Sequence, residues 1–188
     1  MPHHQASATA LAPARGEREE TRRRHRKRGR HAGADGGGMP DMNDLRIRAA
    51  TPDDLDAVLA FWKVAAEGTS ISDDRAGVER LVARDPGALL LAGLSAAGGE
   101  RPGLVGTVVA GFDGWRCHLY RLAVHPKRRR RGIGSALLAA AEERFVALGG
   151  RRGDAMVLQE NERAHHAWRA AGYAPEPQWR RWVKPLVE

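Results

Sequence analysis

Apolar and polar residues alternate through LRIRAA (45–50), the period of a strand with one buried face. The pattern becomes helical in TPDDLDAVLAFWKVAAEG (51–68), where Leu55, Val58, Leu59 and Trp62 share one stripe. Thr51 suits a cap, Pro52 the first turn, and Asp53 and Asp54 the positive end of the helix; Gly68 closes it. DDRAGVERLVARDPG (73–87) predicts a second, shorter helix stopped by Pro86-Gly87. GALLLAGL (87–94) and GLVGTVVAGFD (103–113) read as hairpin strands joined by the Gly-rich turn SAAGGERPG (95–103), and WRCHLYRLAV (115–124) as a third long strand. GIGSALLAAAEERFVALGG (132–150) is a strong helix of Ala, Leu and Glu between glycines. DAMVLQ (154–159) predicts a short strand, NERAHHAWRAAG (161–172) a helix and QWRRWVK (178–184) a last strand. This order, β-α-α-β-β-β-α-β-α-β, mixes hairpins with strand–helix–strand crossovers. It predicts an α/β (α+β) fold: one mixed, mostly antiparallel sheet covered by helices on both faces, with no internal repeat.

Composition changes the picture mainly at the N-terminus. Residues 1–43 are rich in Ala, Arg, Gly and His, and seven basic residues fall within TRRRHRKRGR (21–30). With almost no large apolar residues, this segment cannot offset its ordering entropy and is predicted to be a disordered basic tail. A nucleic-acid-binding arm is the competing reading; a solvated tail is preferred, with Met39 and Met42 as alternative starts beside the first patterned segment. The domain is then 44–188. Its single cysteine, Cys117, excludes an internal disulfide and any multi-Cys zinc site, so no metal is expected. No apolar run reaches the roughly 18 residues of a spanning helix, nor is there a signal-peptide core. A cytoplasmic protein without membrane contact is expected.

The chemistry concentrates in VHPKRRRRGIGSALL (124–138), where glycines 132 and 134 stand between a strand and a long helix. Glycines permit close backbone approach, and the unpartnered first N–H groups of a helix carry the positive end of its dipole. Together they form a pyrophosphate site. The string lacks the third glycine and downstream acid of a dinucleotide fold, and the Gly-Lys-Ser/Thr of a P-loop. The basic run Lys127–Arg131 raises the local potential for an anionic cofactor, or is simply a solvated turn. Without interleaved aromatics it does not point to nucleic acid.

Leu122-Ala123-Val124-His125-Pro126 followed by Arg129-x-x-Gly132-x-Gly134 resembles the acyl-CoA signature of the GNAT N-acetyltransferase superfamily. Asn161-x-x-Ala164, the aromatic Trp168 and Gly172-Tyr173 are similar to the family's second signature, and LRIRAATPDDLDAV to its first strand and helix. The resemblance spans about 45–188. It implies acetyl-CoA as co-substrate, its pantetheine lying along a gap beside the central strand. Backbone groups at Leu122, Ala123 and Val124 would hold that arm, with the Val124 N–H on the thioester carbonyl. Amides from Arg130 through Arg131, Gly132 and Gly134 to Ser135 would take the pyrophosphate, aided by the Ser135 hydroxyl and Arg129; Asn161 would contact the pantetheine. The acceptor would be an amine-bearing small molecule or protein, and a homodimer is compatible with the family.

The resemblance also implies direct attack of a neutral amine in a ternary complex. Where the family usually has a tyrosine acid, this chain has Trp168, whose indole N–H donates a hydrogen bond but is no usable acid. Trp168 either steadies the developing thiolate or packs on the helix face. A thiolate can leave unaided, since free thiols have a pKa of roughly 8.5. His118 matches the glutamate base of histone acetyltransferases of the superfamily. Lying six residues before Val124, it is expected to share that residue's parity unless a bulge intervenes; otherwise it is a satisfied strand histidine. Tyr120 is a second candidate for a water-relay or donor role. His165 and His166 are adjacent and diverge on a helix. The acceptor mouth is expected near Phe61, Trp62, Glu67 and Asp73. A non-catalytic acyl-CoA sensor is the alternative to an N-acetyltransferase.

Overall fold

The computed structural model describes residues 44–68, 70–95 and 103–186. The expectations for the basic tail and most of the SAAGGERPG turn lie outside the described residues. Five strands, β1 (Leu45–Ala49), β2 (Leu89–Leu94), β3 (Gly103–Phe112), β4 (Cys117–Val124) and β5 (Gly153–Ala155), form one sheet in the order β1-β2-β3-β4-β5. The first three junctions are antiparallel and β4–β5 is parallel, as hairpins and a helical crossover respectively require. The helices are α1 (Leu55–Ala65), α2 (Arg75–Arg84), α3 (Ile133–Ala147) and α4 (Glu162–Ala170).

Two apolar layers sandwich the sheet. On one face, Leu90, Val108, Ala110, Cys117 and Leu119 meet Ile133, Leu137, Leu138, Ala141 and Phe145 of α3. On the other, Leu89, Leu91, Val109 and Ala123 meet Leu55, Val58, Phe61 and Trp62 of α1 and Val78 and Val82 of α2. Leu55, Leu89, Leu119 and Leu137 are fully buried, each stabilising the fold by about 1.5–3 kcal/mol against exposure. The sheet and α3 approach most closely at Gly106. A β-carbon there would stand 2.8 Å from Leu137 Cδ1, 3.1 Å from Ile133 Cγ2 and 3.2 Å from the Ala123 carbonyl oxygen. Gly106→Val is therefore expected to cost about 1–3 kcal/mol by overpacking. Gly103→Ala in the same strand, with nothing within 4 Å, should be close to neutral; urea midpoints of the two variants check the contrast.

Three expectations are corrected. QWRRWVK is not a strand: 179–185 carries no regular structure, and Trp179, Trp182 and Val183 are exposed. Its tryptophans are three apart, so a period of two puts them on opposite faces and offers no single apolar side. The third long strand starts at Cys117, because the Asp113 carboxylate accepts the Trp115 and Arg116 N–H groups (2.8 and 2.7 Å) and holds those residues in a turn. The third correction is a bulge in β4. The register runs from Thr107↔Ala123 to Val109↔Tyr120, so Arg121 and Leu122 together oppose Val108. Arg121 takes φ +51 there, a conformation uncommon for a residue with a β-carbon. The bulge reverses parity between His118 and Val124. His118 and Tyr120 are ring neighbours at 6.0 Å and precede the bulge, opposite in facing to buried Cys117 and Leu119, whereas Val124 packs against the α3-side cluster.

Candidate active site

β4 and β5 pair only at Cys117↔Gly153, His118↔Asp154 and Leu119↔Ala155. Beyond Leu119 the strands part, and among the described residues no strand lies beside that edge of Tyr120–Val124. The His125 N–H donates to the Val105 carbonyl (2.9 Å), so ladder alternation turns the Ala123 backbone toward Thr107 and that of Val124 toward the open edge. Of the three residues expected to line the gap, Leu122 and Val124 present their backbone to it. Ala123 does not, because its polar groups face β3.

The open edge leads into the start of α3. A short 3-10 turn (Pro126–Arg128) follows β4, with His125 Nδ1 accepting the Lys127 N–H at 3.3 Å. Arg130 (φ +62) and Gly132 (φ +78) are left-handed, a backbone that turns successive N–H groups toward one side. Asp74 caps α2 by accepting the Gly77 N–H, and the Asn161 Oδ1 caps α4 by accepting the Ala164 N–H. Among the described residues no side chain caps α3. The N–H groups of Ile133, Gly134 and Ser135 have no intrahelical acceptor, and Arg130 and Arg131 immediately precede them in the chain.

Arg129 has another task. Its Nε donates to the Val124 carbonyl (3.1 Å) and one Nη to the Ala65 carbonyl (3.3 Å), tying the end of β4 to the end of α1. Asn161 spends its Oδ1 as the α4 cap, which leaves its amide NH2 for a ligand. Trp168 is half-buried, edge-on to Tyr173 with centroids 4.9 Å apart, and packs against the α3-side core. The Tyr173 hydroxyl donates to Glu142 Oε1 (3.0 Å); burial first, then this bond, pushes the phenol well above its usual range. Tyr173 thus packs, as its motif position implies. His165 Nε2 bonds the Leu158 carbonyl oxygen at 3.0 Å.

On the α1–α2 side of the sheet the bulge organises a polar network. The Thr107 hydroxyl accepts from the Trp62 indole N–H (3.0 Å) and donates to the Arg121 carbonyl (2.9 Å). The Arg121 guanidinium donates to both carboxylate oxygens of Asp73 and to the Gly68 carbonyl, and lies over the Trp62 ring. Its burial lowers the pKa from the ordinary arginine value. Phe61 and Trp62 are therefore core residues, not rim residues. Asp73 is engaged by Arg121, and Glu67 lies 3.6 Å from Arg163 in an exposed pair. Arg121→Ala is expected to cost about 1–3 kcal/mol, the desolvated Asp73 losing its partner, and to speed amide exchange at 70–73 while β2 stays protected. Exchange mass spectrometry reads both effects.

His118, Tyr120 and Asp154 lie together where the strands part. His118 Nδ1 is 3.9 Å from Asp154 Oδ2, and Arg152 Nε is 3.2 Å from Asp154 Oδ1. Desolvation is the main cause raising the Tyr120 phenol above its ordinary value, so it stays protonated near neutrality. Asp154, Arg121 and Thr107 escaped the sequence reading. Thr107 did leave a signal, as the one hydroxyl in the apolar run GLVGTVVAGF.

Residues 56–173 match the model of the acetyltransferase (GNAT) family. The chain belongs to this family. An acetyltransferase of Pectobacterium atrosepticum is 34% identical over 118 residues, 63% of this chain and 79% of that protein. Among solved structures, Ard1 from Thermoplasma volcanium superposes with a TM-score of 0.58 at 21% identity, covering 70% of this acetyltransferase and 83% of that chain. The acetyltransferase AAC(6')-Iy, solved with a CoA-linked bisubstrate analogue, gives 0.59 at 19% identity over 75% and 98% of the two chains. Both share the fold of this acetyltransferase, and the family typically draws its acetyl group from acetyl-CoA. Among the described residues no helix is long and apolar enough to cross a membrane.

Proposed function

We propose that this acetyltransferase moves an acetyl group from acetyl-CoA to a primary amine by direct attack in a ternary complex. One observation carries the reading: the unpaired edge of β4, with the Val124 N–H facing it, runs straight into an uncapped helix N-terminus. An extended acyl-pantetheine fits the edge as an added strand would, and a diphosphate fits the helix start. In this reading the amides of Ile133, Gly134 and Ser135 hold the diphosphate, with the Ser135 hydroxyl and the Arg130 and Arg131 cations beside them. The remaining Arg129 nitrogen lies at the same turn. The Leu122 and Val124 backbone and the Asn161 NH2 hold the pantetheine.

The Val124 N–H donates to the thioester carbonyl and to the oxyanion that develops on it. His118 takes the proton from the attacking amine through the Tyr120 hydroxyl and intervening water, since the register sets it five β3 positions, about 16 Å, from Val124. The amine nitrogen bonds the acetyl carbon, the carbon–sulfur bond breaks, and sulfur leaves as thiolate without an acid. Trp168, edge-on to Tyr173, supports the α4 wall of the gap and supplies no proton.

The test is thiol release from acetyl-CoA across a panel of amines, amino acids and peptides, with acetylated products identified by mass spectrometry. Amine-dependent release with stoichiometric N-acetyl product is expected. Tight acetyl-CoA binding with no turnover on any acceptor would overturn the enzymatic reading in favour of a sensor.

A further inference from the structure

The parallel junction between β4 and β5 is only three residue pairs long, and its central pair is His118 with Asp154. Parallel register fixes which side chains are neighbours, and a slip of one residue would send Asp154 to the other face. Here Asp154 Oδ2 faces the Nδ1 side of the imidazole at 3.9 Å. Its other oxygen is held by Arg152 Nε at 3.2 Å, and Arg152 reaches Glu176 at 3.5 Å. The carboxylate is thus anchored on one oxygen and open toward the histidine on the other. His118 and Asp154 side chains are 32% and 34% exposed, so this pair is reachable by solvent and is not a core contact.

We propose that Asp154 is a positioning residue for His118. It holds the proton on Nδ1, leaving the Nε2 lone pair to accept the amine proton, and it stabilises the imidazolium that results. This inference rests on the assignment of His118 as base made above. As the amine nitrogen bonds the acetyl carbon and sulfur departs with the bonding electrons, the amine proton moves through water and the Tyr120 hydroxyl to Nε2; the imidazolium then passes it to solvent. A separation of 3.9 Å is longer than a hydrogen bond, and such contacts commonly tighten only when substrate is bound. The other polar or charged groups around His118 are Tyr120 on its own strand, Asp113 in the β3–β4 turn, Arg152 before β5 and Arg181 beside Tyr120. Of these, only Asp154 is the cross-strand neighbour of His118.

The experiment compares full-length wild type with Asp154→Ala, His118→Ala and the double variant. Imidazole nitrogen–proton correlation spectra recorded with acetyl-CoA bound report the His118 tautomer. Wild type should show Nδ1–H, and Asp154→Ala should change the balance toward Nε2–H; an unchanged tautomer overturns the proposal. With acetyl-CoA and the best amine of the panel, Asp154→Ala should lower kcat by at least about tenfold, part of the roughly 10²–10⁴ a positioned base supplies. The acetyl-CoA Kd should not change, and Asp154→Ala should cost nothing further in the His118→Ala background. An equal further loss there also overturns the proposal. If no amine is turned over, the enzymatic reading fails separately, and the tautomer alone decides the role of Asp154.

Discussion

Gly134→Trp is expected to weaken acetyl-CoA binding by at least about a hundredfold while the protein stays folded. Two charge-assisted hydrogen bonds to a diphosphate, at about 1.5 kcal/mol each, already amount to that factor. The fold tolerates the change because a β-carbon at 134 would meet only Val124 Cγ2, at an ordinary contact distance of 3.6 Å. The same neighbour shows where the indole goes. Val124 is the residue whose N–H faces the open edge of β4, so a bulky group beside it enters the space between strand end and helix start. Gly132 is a poorer test, because φ +78 makes any substitution there strained before a ligand is considered. Calorimetric titration with acetyl-CoA and a thermal melt separate the two effects. Unchanged affinity would move the diphosphate away from α3.

Val124→Pro should lower kcat by about 10²–10³, the usual effect of removing one donor to a developing oxyanion, with little change in acetyl-CoA Kd. Proline is tolerated in a strand where its missing N–H faces away from the ladder, which is the geometry at Val124. Ala123→Pro is the control. The Ala123 backbone faces Thr107, so proline there breaks the ladder and is expected to destabilise the fold itself. Single-turnover rates measured beside equilibrium binding distinguish a lost transition-state contact from lost affinity. A rise in Kd matching the fall in rate would make the Val124 N–H a ground-state contact only.

Much of the fold was legible because periodicity reports burial. The stripe Leu55, Val58, Trp62 became the buried face of α1, and the Ala-Leu-Glu run after Gly132 became α3, with Leu137 and Leu138 on the core. The turn into α3 was legible for the same local reason: a left-handed glycine, the helix start and adjacent arginines all belong to one continuous stretch. The last strand failed because QWRRWVK has aromatic content without a period of two, and content alone does not place a segment beside a sheet. The contacts of Trp62, Asp73 and Glu67 were illegible because these residues look available in a string of letters, whereas their partners Thr107, Arg121 and Arg163 are distant along the chain.

The amino-acid sequence by itself determined the element order as far as α4, the two apolar layers and the glycine-flanked start of α3, because each depends on residues within a few positions of one another. Tertiary structure decided which groups surround His118. A one-residue bulge at Arg121–Leu122 reversed the facing of His118 relative to Val124, and a three-pair parallel junction set Asp154 beside it. Both follow from backbone register between strands far apart in the chain, and register is a property of the paired sheet that no local run of residues encodes.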